Sequence, residues 1–187
     1  MFCISRHNFL SAAAMIFMTC SLTAVAEEKL PALETVAYID LGRYMGKWYE
    51  IASFPQWFQK GCVATTATYT LRQDGKVDVL NQCRDKTLEG KERAAKGKAW
   101  VVDKKSNAKL KVRFFWPFSG DYWIIDLGDD YQYAVVGHPK RNYLWILSRT
   151  PQMNPELFDR ILAKLRTLHY DLTPLKKTLQ PIGELPQ

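Results

Sequence analysis

Histidine and cysteine are scarce in this chain of 187 residues, which contains three His and four Cys. So few histidines exclude a histidine-rich metal centre, and so few cysteines exclude a dense disulfide scaffold. The sequence also lacks a convincing internal repeat and any low-complexity tract. With 47% hydrophobic and 24% charged residues, it is neither collagen-like nor disordered. The length suits one domain and is short for two.

Aromatic residues, by contrast, are abundant, with six Trp, nine Tyr and nine Phe. Aromatic residues make up 13% of the chain, and so many must line a core, a pocket or an interface. The formal charge is +7, and basic and aromatic residues interleave at 104–118, a pattern also seen in single-strand nucleic-acid binders. Because the charge is spread along the chain, a solvated surface is the better interpretation, and we expect no nucleic-acid partner.

The first 26 residues have the pattern of a secretory signal peptide. Arg6 lies in a leader without acidic residues, and the apolar stretch 9–22 is too short to span a bilayer comfortably. Thr23-Ala-Val-Ala26 then supplies an A-x-A cleavage site. We therefore predict a signal peptide at 1–26 and one domain at 27–187, periplasmic or secreted after cleavage near Ala26.

A membrane-anchored lipoprotein is the competing interpretation, because Cys20 stands where bacterial lipoproteins carry their lipid. The lipoprotein signal usually has Leu three positions before its cysteine and a small residue immediately before it. Phe17 and Thr19 occupy those positions here. This poor lipobox favours a soluble product over an outer-membrane lipoprotein.

Cys62 and Cys83, the two cysteines that remain after cleavage, flank a predicted β-hairpin. Cys62 opens the alternating run 62–71, Cys83 closes the run 76–83, and Asp74-Gly75 between them is a hairpin turn signal. Folding about that turn brings the cysteines nearly opposite, with a bulge absorbing any offset. We expect a disulfide, since no nearby His or CxxC spacing supports a metal or catalytic role.

Further short runs of β-branched and aromatic residues follow the hairpin. They span 90–102, 110–115, 122–127, 131–136 and 143–148, with breaks at 103–107, 117–120, 128–130 and 137–142. Together with a strand that begins near Gly46, they make about eight strands at hairpin spacing. The pattern predicts an all-β fold, an eight-stranded antiparallel up-and-down β-barrel that leaves no exposed edge.

Alternation along the strands predicts which side chains face the barrel interior. On the run 110–115, Lys111 and Arg113 point to water, which leaves Leu110, Val112 and Phe114 inside. On the first hairpin, the inner face carries Thr65, Ala67 and Tyr69 opposite Val77, Val79 and Asn81, and on the last run it carries Tyr143, Trp145 and Leu147.

One amphipathic helix is predicted after the strands. Asn154 is a good N-cap, and Pro155 suits the first helical position. The apolar residues Leu157, Ile161, Leu165 and Leu168 then recur at helical spacing. We expect this C-terminal helix to pack on the outside of the barrel, with a membrane-surface helix as the alternative.

Three segments in chain order carry recognisable motifs. They are Gly46-Lys-Trp48-Tyr49, the stretch 127–135 around Asp129 and Tyr131, and the stretch 144–151 centred on Arg149. Together they resemble the signature motifs of the lipocalin family. The resemblance covers about residues 36–172 and is strongest to the subgroup that contains the bacterial lipocalins and apolipoprotein D. Many bacterial members are lipoproteins, so the poor lipobox is a departure.

The resemblance gives these motif residues a structural role. It implies that Trp48 plugs the closed end of the barrel with Arg149 packed across its ring. Such a cation–π contact contributes roughly 0.5–2 kcal/mol, and the guanidinium also donates to backbone carbonyls. Gly46, Trp48, Asp129, Tyr131 and Arg149 are therefore expected to be fold markers rather than ligand contacts.

Ligand contacts are expected inside the barrel and at its open end. By resemblance to the family, Tyr69, Asn81 and Trp145 lie at pocket-lining positions. Trp100 and Phe114 are additional candidates, with core packing as the alternative for both. The loop after the first strand, which lies across the open end in lipocalins, contributes Trp57, Phe58 and, as a candidate partner for an anionic head group, Lys60.

The expected function is reversible binding and carriage of a small hydrophobic ligand, such as a fatty acid or lysophospholipid, in the bacterial envelope. An eight-stranded barrel is just wide enough to hold one small ligand. The positive charge favours an anionic ligand, and peripheral association with membrane lipid and a homodimer stay open. We expect no metal and no cofactor.

A lipocalin-fold enzyme acting on a lipophilic substrate is the alternative. Pairing of Cys62 with Cys83 would leave no thiol nucleophile in the processed chain. His138 in a predicted turn and His169 near the helix end approach no Ser or Cys in any triad that can be inferred. We therefore expect no catalytic residue.

Overall fold

The computed structural model describes residues 30–182, so the predicted signal peptide at 1–26 lies outside the described residues. The strands are β1 (Gly46–Ser53), β2 (Cys62–Leu71), β3 (Val77–Asp85), β4 (Glu92–Val101), β5 (Lys109–Phe115), β6 (Phe118–Leu127), β7 (Tyr133–Gly137), β8 (Leu144–Ser148) and β9 (Lys176–Lys177). The helices are α1 (Leu41–Tyr44) and α2 (Pro155–Thr167), and a 3₁₀ turn spans Trp57–Gln59. Within residues 30–182, no helix is long and apolar enough to cross a bilayer.

Strands β1 to β8 form a closed antiparallel barrel. Each strand from β2 to β7 pairs with the next one along the chain. The barrel closes because β1 pairs with both β8 and β2, through Tyr49 opposite Ser148 and Trp48 opposite Ala67. The predicted fold class, an eight-stranded antiparallel β-barrel with an external C-terminal helix, is thus confirmed.

A short strand near the C-terminus extends this barrel in a way that the sequence pattern did not predict. The upper part of β1 pairs with β9, with Ala52 opposite Lys177. Just beyond, the Gln180 side-chain amide donates to the backbone carbonyls of Glu50 and Thr65, both at 2.8 Å. The tail therefore fills the seam where β1 and β2 diverge.

The predicted disulfide is present and is confirmed. Cys62 and Cys83 are bonded, with their Cα atoms 5.4 Å apart. Cys62 itself lies opposite Asp85, and the β2–β3 register shifts between Val63 and Thr66. The predicted bulge on β2 is therefore present, but it does not bring the cysteines opposite each other, and the disulfide joins residues two positions out of register.

The break predicted at 117–120 is wrong, because β6 already begins at Phe118. Phe115 pairs with Phe118 and Val112 pairs with Gly120, so Ser119 and Gly120 continue the ladder. A two-residue turn at Trp116-Pro117 is enough to reverse an antiparallel pair. The Pro, Ser and Gly residues of 117–120 favour a loop, but pairing with β5 extends β6 back to Phe118.

Helix α2 packs on the outer face of the barrel. The Asn154 side chain accepts hydrogen bonds from the backbone N–H groups of Glu156 and Leu157, at 2.8 and 3.2 Å. The fully buried stripe of the helix is Phe158, Ile161 and Leu165, whereas the predicted Leu157 and Leu168 are half-buried. This stripe covers the outward residues Ile125, Val135 and Ile146.

Candidate functional site

A cavity of about 720 Å³ occupies the barrel interior and is open at one end. The open end is formed by the connections β1–β2, β3–β4, β5–β6 and β7–β8. The opposite end carries α1 and the β2–β3 turn. Most of the wall is apolar, built from inward side chains that include Val77, Val79, Ala99, Leu110, Val112, Ile124 and Leu147.

Six of the seven predicted ligand-binding residues line this cavity. They are Tyr69, Asn81, Trp145, Phe114, Trp57 and Phe58. The inner faces predicted for β2, β3, β5 and β8 are also found, because alternation held along those strands. The seventh residue, Trp100, lies on the outer face of β4 beneath Arg113, whose guanidinium carbon is 5.5 Å from the indole centroid.

Strand β4 turns small residues, not aromatic ones, towards the interior. Ala99 lines the cavity, and Trp100, next to it, therefore faces out. At Gly97 a Cβ atom would lie 2.8 Å from a ring atom of Phe114 and 2.9 Å from the Arg113 carbonyl oxygen. The missing side chain gives Phe114 room to lie across β4.

The closed end is sealed by Trp48 and Arg149. Trp48 is fully buried, and the guanidinium carbon of Arg149 lies 3.7 Å from its ring centroid. The guanidinium donates to the carbonyls of Arg43, Lys47, Tyr44 and Tyr131, at 2.8 to 3.3 Å. Because these bonds tie α1, β1 and the β6–β7 connection together, Arg149 closes the barrel from three sides.

The other motif residues complete this seal. Gly46 has a φ of +91°, which suits glycine, and a Cβ atom there would lie 3.4 Å from Nη1 of Arg149. The Tyr131 hydroxyl accepts from the Asp40 backbone N–H at 2.8 Å, and the Arg43 guanidinium lies 4.3 Å from the Tyr131 ring centroid. Asp129 contributes its carbonyl, which accepts from Arg43 at 3.4 Å.

Three tyrosines form the floor of the cavity just above Trp48. The Tyr122 hydroxyl is 2.8 Å from that of Tyr44 and 2.9 Å from that of Tyr69. Burial raises the pKa of Tyr69 to about 12 and raises the pKa values of Tyr44 and Tyr122 well above the usual value. The floor therefore presents neutral phenols at physiological pH.

Further polar groups lie higher on the wall. The Thr65 hydroxyl and the Asn81 Oδ1 atom are buried, and neither has a hydrogen-bond partner among residues 30–182. Glu50 is also buried; it accepts from Thr178 at 2.6 Å, from Gln59 at 2.9 Å and from Ser53 at 3.0 Å. Gln59 in turn accepts from the Trp145 indole at 3.2 Å, which ties the β1–β2 loop to the barrel wall.

The open end carries a set of exposed aromatic side chains, here called the aromatic rim. Its members are Trp57 and Phe58 on the β1–β2 loop and Phe115, Trp116 and Phe118 on the β5–β6 hairpin. Trp57 is 84% exposed and Trp116 is 81% exposed. Aromatic residues so exposed, gathered at one end of a barrel, mark an interaction surface.

Charged side chains that line the cavity are few. They are the carboxylates Glu50 and Asp121, beside which lies the imidazole of His138, and among residues 30–182 no Lys or Arg contributes to the lining. Asp121 lies 2.9 Å from Lys111 and 3.7 Å from His138. Burial lowers the pKa of His138, and the nearby Asp121 carboxylate opposes that shift. Lys60, the predicted head-group partner, is exposed beside the mouth rather than in the wall.

Neither a metal-binding cluster nor a free thiol is found in the described part of the chain. No group of three or more His, Cys, Asp or Glu side chains within residues 30–182 is placed to hold a metal. Both described cysteines are in the disulfide, so neither is a thiol nucleophile. His169 is exposed beyond α2 and does not line the cavity.

Several lining residues escaped the sequence analysis, above all Tyr44, Tyr122, Glu50 and Gln59. Alternation from Ile124 would have placed Tyr122 inside. Tyr44 lies in a four-residue helix just before β1, where no strand periodicity applies. Glu50 faces the interior although a charged residue in a strand normally indicates the outer face.

Comparison with known proteins assigns the family. A family model described as a lipocalin-like domain matches residues 39–180, which include the barrel, α2 and the tail as far as Gln180. The chain therefore belongs to the lipocalin family, as its three motifs and its sealed barrel indicate.

Relatives in plants, bacteria and primates share much of the sequence. Temperature-induced lipocalin-1 of Arabidopsis thaliana is 46% identical over 157 residues, covering 79% of this chain and 83% of the relative. Outer membrane lipoprotein Blc of Escherichia coli K12 is 37% identical over 169 residues, covering 90% and 93%. Apolipoprotein D of Macaca fascicularis is 34% identical over 151 residues, covering 75% and 77%.

The fold also matches solved structures of low sequence identity. Insecticyanin from the tobacco hornworm superimposes with a TM-score of 0.66 at 20% identity, covering 82% of this chain and 87% of that one. At this identity the likeness supports the fold alone.

Proposed function

We propose that this protein binds one elongated amphiphile, a fatty acid or a lysophospholipid, with its hydrocarbon chain inside the barrel. The observation that carries the proposal is the cavity of about 720 Å³, apolar along most of its wall and sealed at one end by Trp48 and Arg149. Ligand pockets in proteins are commonly of this size and are mostly apolar with a few polar groups.

The energy of chain burial suits a carrier. Burying about 16 methylenes at ~0.8 kcal/mol each gives roughly 13 kcal/mol. Association and ordering of the chain cancel at least about 4–5 kcal/mol of this. The remainder corresponds to micromolar affinity or somewhat tighter, which allows release.

The charge distribution supports an orientation with the head group at the mouth. The described part of the wall has no Lys or Arg, so an anionic group deep inside would lack a counter-ion. Lys60 beside the mouth is exposed and available to such a group. An anionic head would therefore stay at the open end.

The aromatic rim supports loading of the ligand at a membrane surface. Trp and Phe side chains partition into the interface between lipid head groups and acyl chains. Peripheral contact through the rim would place the mouth of the cavity against the lipid. Membrane lipid would then exchange with the cavity without crossing bulk water.

We place this activity in the bacterial envelope, most simply in the periplasm. The predicted signal peptide at 1–26 and the bacterial relatives named outer membrane lipoproteins support this location. The poor lipobox around Cys20 favours a soluble carrier over an anchored one.

Native mass spectrometry of the gently purified protein, followed by displacement with hexadecanoic acid, tests the proposal. The expected result is one bound acyl lipid per chain, replaced by hexadecanoic acid at micromolar concentration. Absence of any adduct at saturating hexadecanoic acid and lysophosphatidylglycerol would contradict it.

A further inference from the structure

The floor of the cavity holds one hydrogen-bond donor more than the protein uses. Tyr44, Tyr69 and Tyr122 each carry one hydroxyl proton, and two hydrogen bonds join the three hydroxyls. Two bonds use two protons, whichever way each bond points. Among residues 30–182, these hydroxyls bond only to one another, so one O–H group is left without a protein acceptor.

The surroundings decide what such a donor can recognise. Tyr44 and Tyr69 are buried, and the wall above them is apolar as far as Thr65 and Asn81. The Arg149 guanidinium, on the far side of Trp48, does not line the cavity and already donates to four carbonyls. A carboxylate at the floor would therefore be buried without a counter-ion, whereas a neutral oxygen needs only the free O–H group.

We propose that the three phenols form a subsite for a neutral oxygen at the inner end of the ligand. The ligand class is then a long-chain lipid with an anionic head at the mouth and a hydroxyl or carbonyl oxygen at or near the far end of its chain. This inference rests on the proposed function, which supplies the chain in the cavity and the head at the mouth. A hydroxyl there accepts from the free phenol and can itself donate to a phenol oxygen.

A matched pair of ligands isolates the subsite. Hexadecanoic acid and 16-hydroxyhexadecanoic acid have the same head and nearly the same length, and differ by one oxygen at the far end. We would measure both dissociation constants by displacement of a fluorescent fatty acid. The variant is Tyr44→Phe/Tyr69→Phe/Tyr122→Phe, which removes all three hydroxyls together and leaves no phenol without its partner.

The triple variant should weaken binding of 16-hydroxyhexadecanoic acid about tenfold relative to hexadecanoic acid, because the buried hydroxyl loses its partners. The control is Tyr133→Phe, which removes a phenol that bonds Asp126 at 3.3 Å in the groove beside α2. This control should leave the ratio of the two constants unchanged.

The outcomes separate the subsite from the proposed function. If the triple variant binds hexadecanoic acid as the unmodified protein does, the variant is folded. An unchanged ratio of the dissociation constants for 16-hydroxyhexadecanoic acid and hexadecanoic acid would then overturn the subsite. If the triple variant also fails to bind hexadecanoic acid, a second measurement tests the subsite in the unmodified protein. It is the infrared stretching frequency of the ketone C=O group of bound 15-oxohexadecanoic acid. A shift of this frequency to a lower value on binding supports a hydrogen bond to the ketone. A frequency equal to that in an apolar solvent overturns the subsite. Failure of the unmodified protein to bind hexadecanoic acid would instead contradict the proposed function.

Discussion

At the scale of single residues, Arg149 is the side chain that joins the elements at the closed end of the barrel. Its planar guanidinium covers the Trp48 ring and donates to carbonyls of α1, β1 and the β6–β7 connection, a geometry that a lysine ammonium cannot reproduce. Burial lowers the pKa of Arg149, so its charge is maintained against a desolvation cost. The carbonyls and the Trp48 ring offset that cost.

Arg149→Lys should therefore lower the free energy of unfolding by about 2 kcal/mol, through loss of forked hydrogen bonds and part of the cation–π contact. Urea unfolding followed by tryptophan fluorescence measures the change. Arg166→Lys, on the exposed face of α2, is the matched control and should change the stability by less than about 0.5 kcal/mol. Equal effects of the two substitutions would contradict the assigned role.

The tyrosine floor should make the protein sensitive to alkali. Burial raises the pKa of Tyr69 to about 12 and those of Tyr44 and Tyr122 above their usual value. Below about pH 10 these tyrosines are protonated in both the folded and the unfolded protein, so they add no pH dependence to the unfolding free energy. Above it the unfolded chain releases protons that the folded protein retains, and stability falls as pH rises.

Urea unfolding at several pH values between 9 and about 11.5 checks this prediction. The fall in unfolding free energy should be steeper in the unmodified protein than in Tyr44→Phe/Tyr69→Phe/Tyr122→Phe. Parallel curves for the two proteins would show that these phenols are not protected by burial.

At the scale of elements, the order of the strands and the direction of most of their side chains were predictable from sequence. The wrong prediction for Trp100 and the unpredicted strand β9 each have a local cause. Alternation placed Val112, Phe114 and Tyr69 correctly, because side-chain direction in a regular strand follows from the backbone. The prediction for Trp100 is wrong, because β4 turns Gly97 and Ala99 inwards and the bulky indole of Trp100, next to Ala99, therefore faces out. Strand β9 is two lysines long and has no apolar pattern, so only tertiary pairing with β1 defines it.

The β2–β3 hairpin depends on its disulfide at the open end. Cys62 and Cys83 are 21 residues apart, a separation for which loop entropy predicts about 3 kcal/mol of stabilisation. Cys62→Ala/Cys83→Ala should lose about this amount in urea unfolding. Reductant should reproduce the loss in the unmodified protein and leave the variant unchanged. A further loss in the reduced variant would contradict the explanation.

At the scale of the whole molecule, the two ends of the barrel differ in character. The closed end is hydrogen-bonded and sealed, whereas the open end displays the aromatic rim. The motifs of the closed end were readable from sequence because they are short and local. The rim was predicted only in part, since Phe115, Trp116 and Phe118 come to the same end as Trp57 and Phe58 only in the folded barrel.

Trp116→Ser should weaken binding to phosphatidylglycerol vesicles about fivefold, because an exposed indole is lost from the surface that we propose faces the membrane. Trp116 does not line the cavity, so affinity for hexadecanoic acid in solution should be unchanged. Val102→Ser, at an exposed apolar residue beyond β4 at the closed end, is the control for vesicle sedimentation. Equal loss in both variants would contradict docking through the rim.

Filling the cavity tests most directly whether the ligand lies inside the barrel. Ala67 faces the interior on β2 opposite Trp48, whereas Thr70 on the same strand is exposed. Hexadecanoic acid binding should fall at least about tenfold in Ala67→Trp, because the indole occupies the space of several methylenes. Thr70→Trp should bind as the unmodified protein does. Undiminished binding by a folded Ala67→Trp variant would place the ligand elsewhere and contradict the account.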